Sequence, residues 1–178
     1  MLTPETASPG LLFSSFLFRS DLHTKEELKS FWEDRFGKSF SFVPEQNPLI
    51  EYYSKEMGLP LFRIFFLTSK SFARDSLLEV KFDSLKWENL WARDQKRMVN
   101  VDIGFLSLEN FLLATTKNYS HRVYLGQNIF ADLTYYFHQG SFQAFDWTYP
   151  DFVDSAKKEF LEWGRSFLLN SLVNNTKQ

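Results

Sequence analysis

The chain has 178 residues, 44% hydrophobic and 24% charged, which suits one globular domain over residues 1–178 and excludes a disordered chain. A formal net charge of −2 and a pI near 5.9 leave no overall basic field for a nucleic-acid backbone. With no cysteine, disulfides, thiolate catalysis and zinc–cysteine sites are excluded together.

In chain order, residues 1–9 read as a flexible arm. "MLTPETASPG" lacks the basic start of a signal peptide, and the apolar run Leu11–Phe18, broken by Ser14 and Ser15, is too short to span a membrane. A cytoplasmic protein with no membrane association is expected. "GLLFSSFLF" is apolar on both faces and predicts a central strand. Thr24 and Glu27 form a capping box ahead of Leu28, Phe31, Trp32 and Phe36 at helical spacing, with Gly37 as the stop. "SFSFVPE" reads as a short strand. "LIEYYSKEM" and "LFRIFFLTS" flank Gly58-Leu59-Pro60 and suggest a hairpin. Residues 74–92 carry a mixed pattern that resolves as a helix. Val99, Val101 and Ile103 alternate with Asn100 and Asp102, which predicts a strand that turns at Asp102–Gly104. Ser107 would cap a short helix, "LENFLLATT". A hairpin follows around Gly126, then the arm "SFQAF". Pro150 and Asp151 introduce a last helix over about 152–172, with Asp151 as its cap and Val153, Ala156, Phe160, Gly164, Phe167 and Leu168 as its apolar face; 173–178 would be a frayed tail. The order implies an α+β fold: a mostly antiparallel sheet with helices packed on it, built as a ferredoxin-like core plus an added β-hairpin. Aromatic residues make up 19% of the chain, 21 of its residues being Phe, which predicts an aromatic core; the sharper reading is an aromatic-walled cleft.

No dinucleotide, P-loop or nucleophile-elbow motif occurs. His23, His121 and His138 show no metal-ligand spacing, so no metal site and no definite cofactor are assigned; carboxylate-held Mg²⁺ remains compatible, because its ligands need no fixed spacing.

Polar residues concentrate in the hairpin "KNYSHRVYLGQNIFADLT". A three-residue "GQN" loop sets Leu125 opposite Ile129, Tyr124 opposite Phe130, Val123 opposite Ala131 and Arg122 opposite Asp132. Strand parity then puts Arg122, Tyr124, Phe130, Asp132 and Thr134 on one face, and Val123, Leu125, Ile129, Ala131 and Leu133 on the other with His121. The Arg122–Asp132 pair is either a structural salt bridge or an anion-binding floor. His121 joins a site only if it stands at the strand end. Asn100 and Asp102 share a face. Arg63 is a lone charge in a hydrophobic strand and needs a partner, for which Glu56 is a candidate. Trp147 and Tyr149 stand beside Asp151.

Five stretches, "YYSKEMG", "NVDIGF", "LATTKNYSHRVYL", "NIFADLT" and "WTYPDF", in this order resemble a family of small bacterial and archaeal proteins known as domain of unknown function 4416. The resemblance covers about Glu51 to Asp151. It implies that the family's polar positions are Glu56, Arg63, Asn100, Asp102, Lys117, His121, Arg122, Tyr124, Asp132, Thr134, Trp147 and Asp151, and it implies no activity. Where the family has Asp-Pro-Gly-Tyr, this chain has Asp102-Ile103-Gly104-Phe105, so a rigid turn and a phenol are not required there.

The expectation is a polar cleft for an anionic small molecule bearing phosphate or carboxylate, such as a nucleotide. Arg63, Lys117 and Arg122 would hold the anion, with Asn100 and Thr134 beside them. Tyr124, Trp147 and Tyr149 would supply a stacking wall, and Asp102, Asp132 and His121 any acid–base role in phosphoester or phosphoanhydride chemistry. The alternative is a non-catalytic interaction module with Trp87, Trp91 or Trp163 in an exposed apolar patch and no cavity at the polar face. An RNA-binding sheet is disfavoured by the acidic pI.

Overall fold

The structure is a computed structural model that describes residues 7–175; the expectations for residues 1–6 and 176–178 lie outside the described residues. Its elements are β1 (Gly10–Arg19), α1 (Lys25–Phe36), β2 (Ser39–Phe42), α2 (Ile50–Met57), β3 (Leu61–Phe72), α3 (Leu77–Leu90), β4 (Val99–Leu106), β5 (Asn110–Thr115), β6 (Val123–Gly126), β7 (Ile129–His138), β8 (Ser141–Ala144) and α4 (Ser155–Asn175), with 3₁₀ turns at Arg74–Ser76 and Pro150–Phe152.

The strands form one antiparallel sheet ordered β2-β3-β1-β4-β5-β7-β6, with β8 also paired to β7. The segment β2-β3-β1-β4, with α1 and α3 as its crossover helices, is the ferredoxin-like split arrangement. β5 to β8 extend it past β4. Side chains of β1 alternate between two apolar layers. Leu12, Phe16 and Phe18 meet Trp32 of α1 and Val80 and Trp87 of α3, while Leu11 and Phe13 meet Phe152 and Leu161 and Leu168 of α4. Burial on both faces is why β1 reads as an apolar run interrupted only by Ser14 and Ser15, themselves buried. At α1 both halves of the Thr24–Glu27 capping box are formed.

Several elements differ from the sequence reading. Residues 50–57 are helix, not a hairpin arm: Ile50, Tyr53 and Met57 recur at helical spacing, and Gly58 ends the helix at φ 76°. β4 does not turn at Asp102–Gly104 but stays extended to Leu106. Gly104 permits close approach, since a Cβ there would collide with the Leu112 carbonyl oxygen across the β4–β5 ladder. The turn comes at Ser107, whose Oγ accepts from the N–H groups of Glu109 and Asn110, so "NFLLAT" enters β5 and not a helix. The β6–β7 loop is two residues, Gln127 and Asn128 at φ 51° and 61°; Gly126 pairs with Ile129, and a bulge takes up Leu125. Tyr124–Phe130 and Val123–Ala131 pair as read. α4 starts later and runs further than expected. Asp154, not Asp151, caps it by accepting from Ala156 N–H at 2.7 Å, and residues 173–175 are helical. Its buried face is Lys157, Leu161, Gly164 and Leu168, with Val153 and Ala156 exposed. Among the described residues no helix is long and apolar enough to cross a membrane.

Candidate functional site

The sheet splits between β4 and β5. Their ladder runs only from Ile103–Ala114 to Leu106–Phe111, so Val99–Asp102 has no strand neighbour on that side. Unpaired backbone groups must be satisfied elsewhere. Two side chains of α3 do this at Val101: Glu88 Oε1 accepts the N–H at 2.6 Å, and Lys81 Nζ donates to the carbonyl at 3.4 Å. A cavity of about 480 Å³ occupies the split. α2 contributes Leu49's neighbours Tyr52 and Tyr53, α3 contributes Lys81, Leu85 and Glu88, and β4 contributes Asn100 and Asp102. The far wall is Leu113–Lys117, Tyr119, Arg122, Asp132, Tyr149 and Asp151.

A polar chain runs along one side. Glu56 takes both Nε and Nη2 of Arg97, at 2.7 and 2.6 Å, and Arg97 Nη1 donates to Asn100 Oδ1 at 2.7 Å. Asn100 Nδ2 donates to Asp102 Oδ2 at 3.3 Å, and Arg63 Nη1 stands 3.7 Å from the same oxygen. Buried Arg63 continues to Ser15 Oγ at 2.8 Å and to Asp151 at 3.0 Å. The hydrogen bond from Arg97 holds the Glu56 carboxyl below its usual range. Burial pushes the Glu88 and Asp151 carboxyls up, and the Tyr53 phenol upward too.

At the other side Arg122 is a clamp. Its Nε and Nη2 lie 2.8 Å from Asp132 Oδ2, Nη1 donates to the Lys117 carbonyl at 2.9 Å, and Nη2 donates to Tyr149 Oη at 2.7 Å. The Tyr119 ring lies 4.4 Å from the guanidinium carbon. The Arg122 and Asp132 side chains are only 1% and 3% exposed. One guanidinium therefore ties together the 116–122 loop, β7 and the segment before α4. His121 precedes β6, so strand parity does not govern it. It stacks on Trp147 at 5.1 Å and brings Nε2 to 3.5 Å from Asp132 Oδ2, a correction to its placement on the apolar side.

A family model for a domain of unknown function, DUF4416, matches residues 8–167. The chain belongs to the DUF4416 family. No curated protein and no solved structure matches it. The DUF4416 match runs from ahead of β1 into α4 and takes in every residue of the cavity.

Of the residues singled out in this DUF4416 chain, Asn100, Asp102, Lys117, Arg122, Asp132, Tyr149 and Asp151 line the cavity. Arg63 lies behind Asp102, paired with Asp102 and Asp151 and not with Glu56. The remaining four are not on its wall. Tyr124 is exposed beside Phe130. Thr134 is buried, its Oγ1 donating to the Asp132 carbonyl. Trp147 is sandwiched between His121 and Phe145 and donates to the Leu133 carbonyl. His121 meets Asp132 from outside. Tyr52, Tyr53, Lys81, Glu88, Arg97 and Tyr119 were not anticipated. For Lys81 and Glu88 a signal existed: they fall on the same helical stripe as Leu77, Val80, Ser84 and Trp87, all buried. Of the three tryptophans, Trp87 is 7% exposed, Trp91 packs on Phe16 and Phe31, and Trp163 is 46% exposed beside Phe160 and Phe167. Among the described residues no group of three or more His, Asp or Glu is placed to hold a metal ion.

Proposed function

We propose that the cavity binds a small anionic ligand through Lys81 and Lys117, with Tyr52, Tyr53, Tyr119 and Tyr149 as its aromatic walls. The observation that carries this is Lys81. It is 6% exposed and lines the cavity, its one hydrogen bond is 3.4 Å long, and it has no ion pair within 4.0 Å among the described residues. A buried ammonium is costly unless an anion compensates it, and Glu88, the carboxylate within its electrostatic reach, is itself bound to Val101 N–H. Arg63, Arg97 and Arg122 are already matched to carboxylates, so they shape the site while the lysines remain available. Lys117 is exposed at the rim, without an ion pair among the described residues. The volume, about 480 Å³, is that of a small-molecule pocket. A phosphate or carboxylate fits the lysines, and a cytoplasmic setting goes with a phosphorylated metabolite. Phosphoester or phosphoanhydride chemistry is a further step of the same reading, in which Asp102 would serve as base.

The test is thermal denaturation with inorganic phosphate, pyrophosphate, ribose 5-phosphate and AMP, on the wild type and on Lys81→Gln. A ligand at a hundred times its Kd adds about 2.7 kcal/mol of stability. Gln keeps a donor for the Val101 carbonyl without the charge, so the variant should fold with near wild-type stability and lose the ligand response. No stabilisation of the wild type by any probe, or an equal response from the variant, would overturn the reading.

A further inference from the structure

Within that anion-binding reading, we infer that Asp102 makes the site selective for a ligand that carries a hydroxyl as well as its anionic group, as a sugar phosphate or a ribonucleotide does. Four carboxylates line the cavity: Glu88, Asp102, Asp132 and Asp151. Glu88, Asp132 and Asp151 are buried and engaged with Val101 N–H, Arg122 and Arg63 respectively; Asp151 Oδ1 has no hydrogen-bond partner among the described residues but is closed off from solvent. Asp102 differs, its side chain being 33% exposed. Both of its contacts, from Asn100 Nδ2 at 3.3 Å and Arg63 Nη1 at 3.7 Å, fall on Oδ2. That leaves Oδ1 as an acceptor for whatever fills the cavity.

Asp102 is backed by a polar chain. Arg97 anchors Asn100 at 2.7 Å, Glu56 anchors Arg97, and Ser15 and Asp151 anchor Arg63. The chain holds Asn100 and Arg63 in place, and their longer contacts with Asp102, 3.3 and 3.7 Å, bias its carboxylate toward one orientation. The charge around it decides what kind of donor it takes. The Arg63 guanidinium already faces the carboxylate from behind, and Lys81 and Arg97 line the same cavity. A ligand ammonium would add a charge to desolvate in a wall where cations and carboxylates already balance. Hydroxyls bring donors without a further charge to desolvate. Tyr53, whose phenol is held neutral by burial and by the nearby Asp102 carboxylate, supplies an adjoining aromatic face for a sugar ring.

Calorimetric titration of the intact protein with ribose 5-phosphate and AMP, each against its 2-deoxy or 2′-deoxy counterpart, and with inorganic phosphate, tests this. Loss of a hydrogen bond to a charged acceptor should weaken the deoxy ligand about 10-fold or more. Asp102→Ala removes the acceptor and should erase that difference while the deoxy ligand and phosphate still bind; Asp102→Asn, which keeps a neutral amide oxygen, should only narrow it. Comparing the two parent ligands shows whether the base contributes. If the wild type binds the hydroxyl and deoxy forms equally, or if Asp102→Ala weakens both alike, the role given to Asp102 is wrong and anion binding stands. If none of the probes, phosphate included, binds the wild type, both readings fall.

Discussion

Removing the Arg122 side chain should cost more than any other single truncation at the cavity wall. Arg122→Ala deletes the partner of a carboxylate that is 3% exposed, along with the bonds to the Lys117 carbonyl and Tyr149 Oη. What remains near Asp132 Oδ2 is His121 Nε2 at 3.5 Å. Stranding one member of a buried pair costs about 3–5 kcal/mol. At roughly 2–4 °C per kcal/mol for a chain of this size, the melting temperature should fall by roughly 6–20 °C. Asp132→Asn is milder, because the guanidinium keeps two other acceptors and an amide oxygen; about 1.5–3 kcal/mol is expected. The decisive comparison is the double variant. With no carboxylate left to strand, Arg122→Ala/Asp132→Asn should be more stable than Arg122→Ala alone. Urea denaturation of the four proteins closes the cycle. A cost below about 1 kcal/mol for Arg122→Ala, with no rescue by Asp132→Asn, would refute the clamp. The guanidinium would then be solvated and available to a ligand.

Two other outcomes follow from packing and burial. Burial raises the Glu88 carboxyl above its ordinary 4.5, so the folded chain holds that proton more tightly than the unfolded one. The stability this contributes is present below pH 4.5 and is lost as the pH rises through the folded-state value. Glu88→Gln removes that dependence; the wild type should decline relative to the variant over this window, measured by denaturation at stepped pH, and a constant difference would count against a buried Glu88. Gly104→Ala drives a methyl into the Leu112 carbonyl, whereas Gly164→Ala meets only Leu67 Cδ1 at 2.6 Å and Leu106 Cδ2 at 2.8 Å. Backbone cannot give way as a leucine rotamer can, so Gly104→Ala should cost about 3 kcal/mol and Gly164→Ala within about 1 kcal/mol; equal losses on thermal melting would contradict this.

The elements legible in the sequence are those specified locally. α1 carries its start signal, its spacing and its stop within fourteen residues, Thr24 to Gly37, and the structure forms each of them. β5 was hidden because Phe111 and Leu113 pack under α4 while Ala114 and Leu112 face α1 and α3, so both faces are apolar and no period of two survives. α2 has only eight residues beside a Gly-Leu-Pro that imitates a hairpin turn. Strand parity placed Arg122 against Asp132, and failed for His121 because β6 begins at Val123, two residues later. The Glu56–Arg97 pair spans 41 residues and depends on α2 folding back to the start of β4, which no local pattern encodes.

The remaining question at the split is how much of its charge the fold itself requires. Where β5 leaves β4, the N–H and carbonyl of Val101 lose a strand partner, and side chains must replace it. Glu88 meets the N–H at 2.6 Å, a strong charge-assisted bond, and any short acceptor there would serve. Lys81 meets the carbonyl at 3.4 Å, near the limit of a useful bond. A neutral amide or a water could satisfy that oxygen with less desolvation. The ammonium is therefore more than the backbone needs, and its cost is offset in part by the Glu88 carboxylate nearby. This is what separates Lys81 from Arg122. The guanidinium is accounted for by the wall it holds, whereas the lysine has no ion pair within 4.0 Å among the described residues.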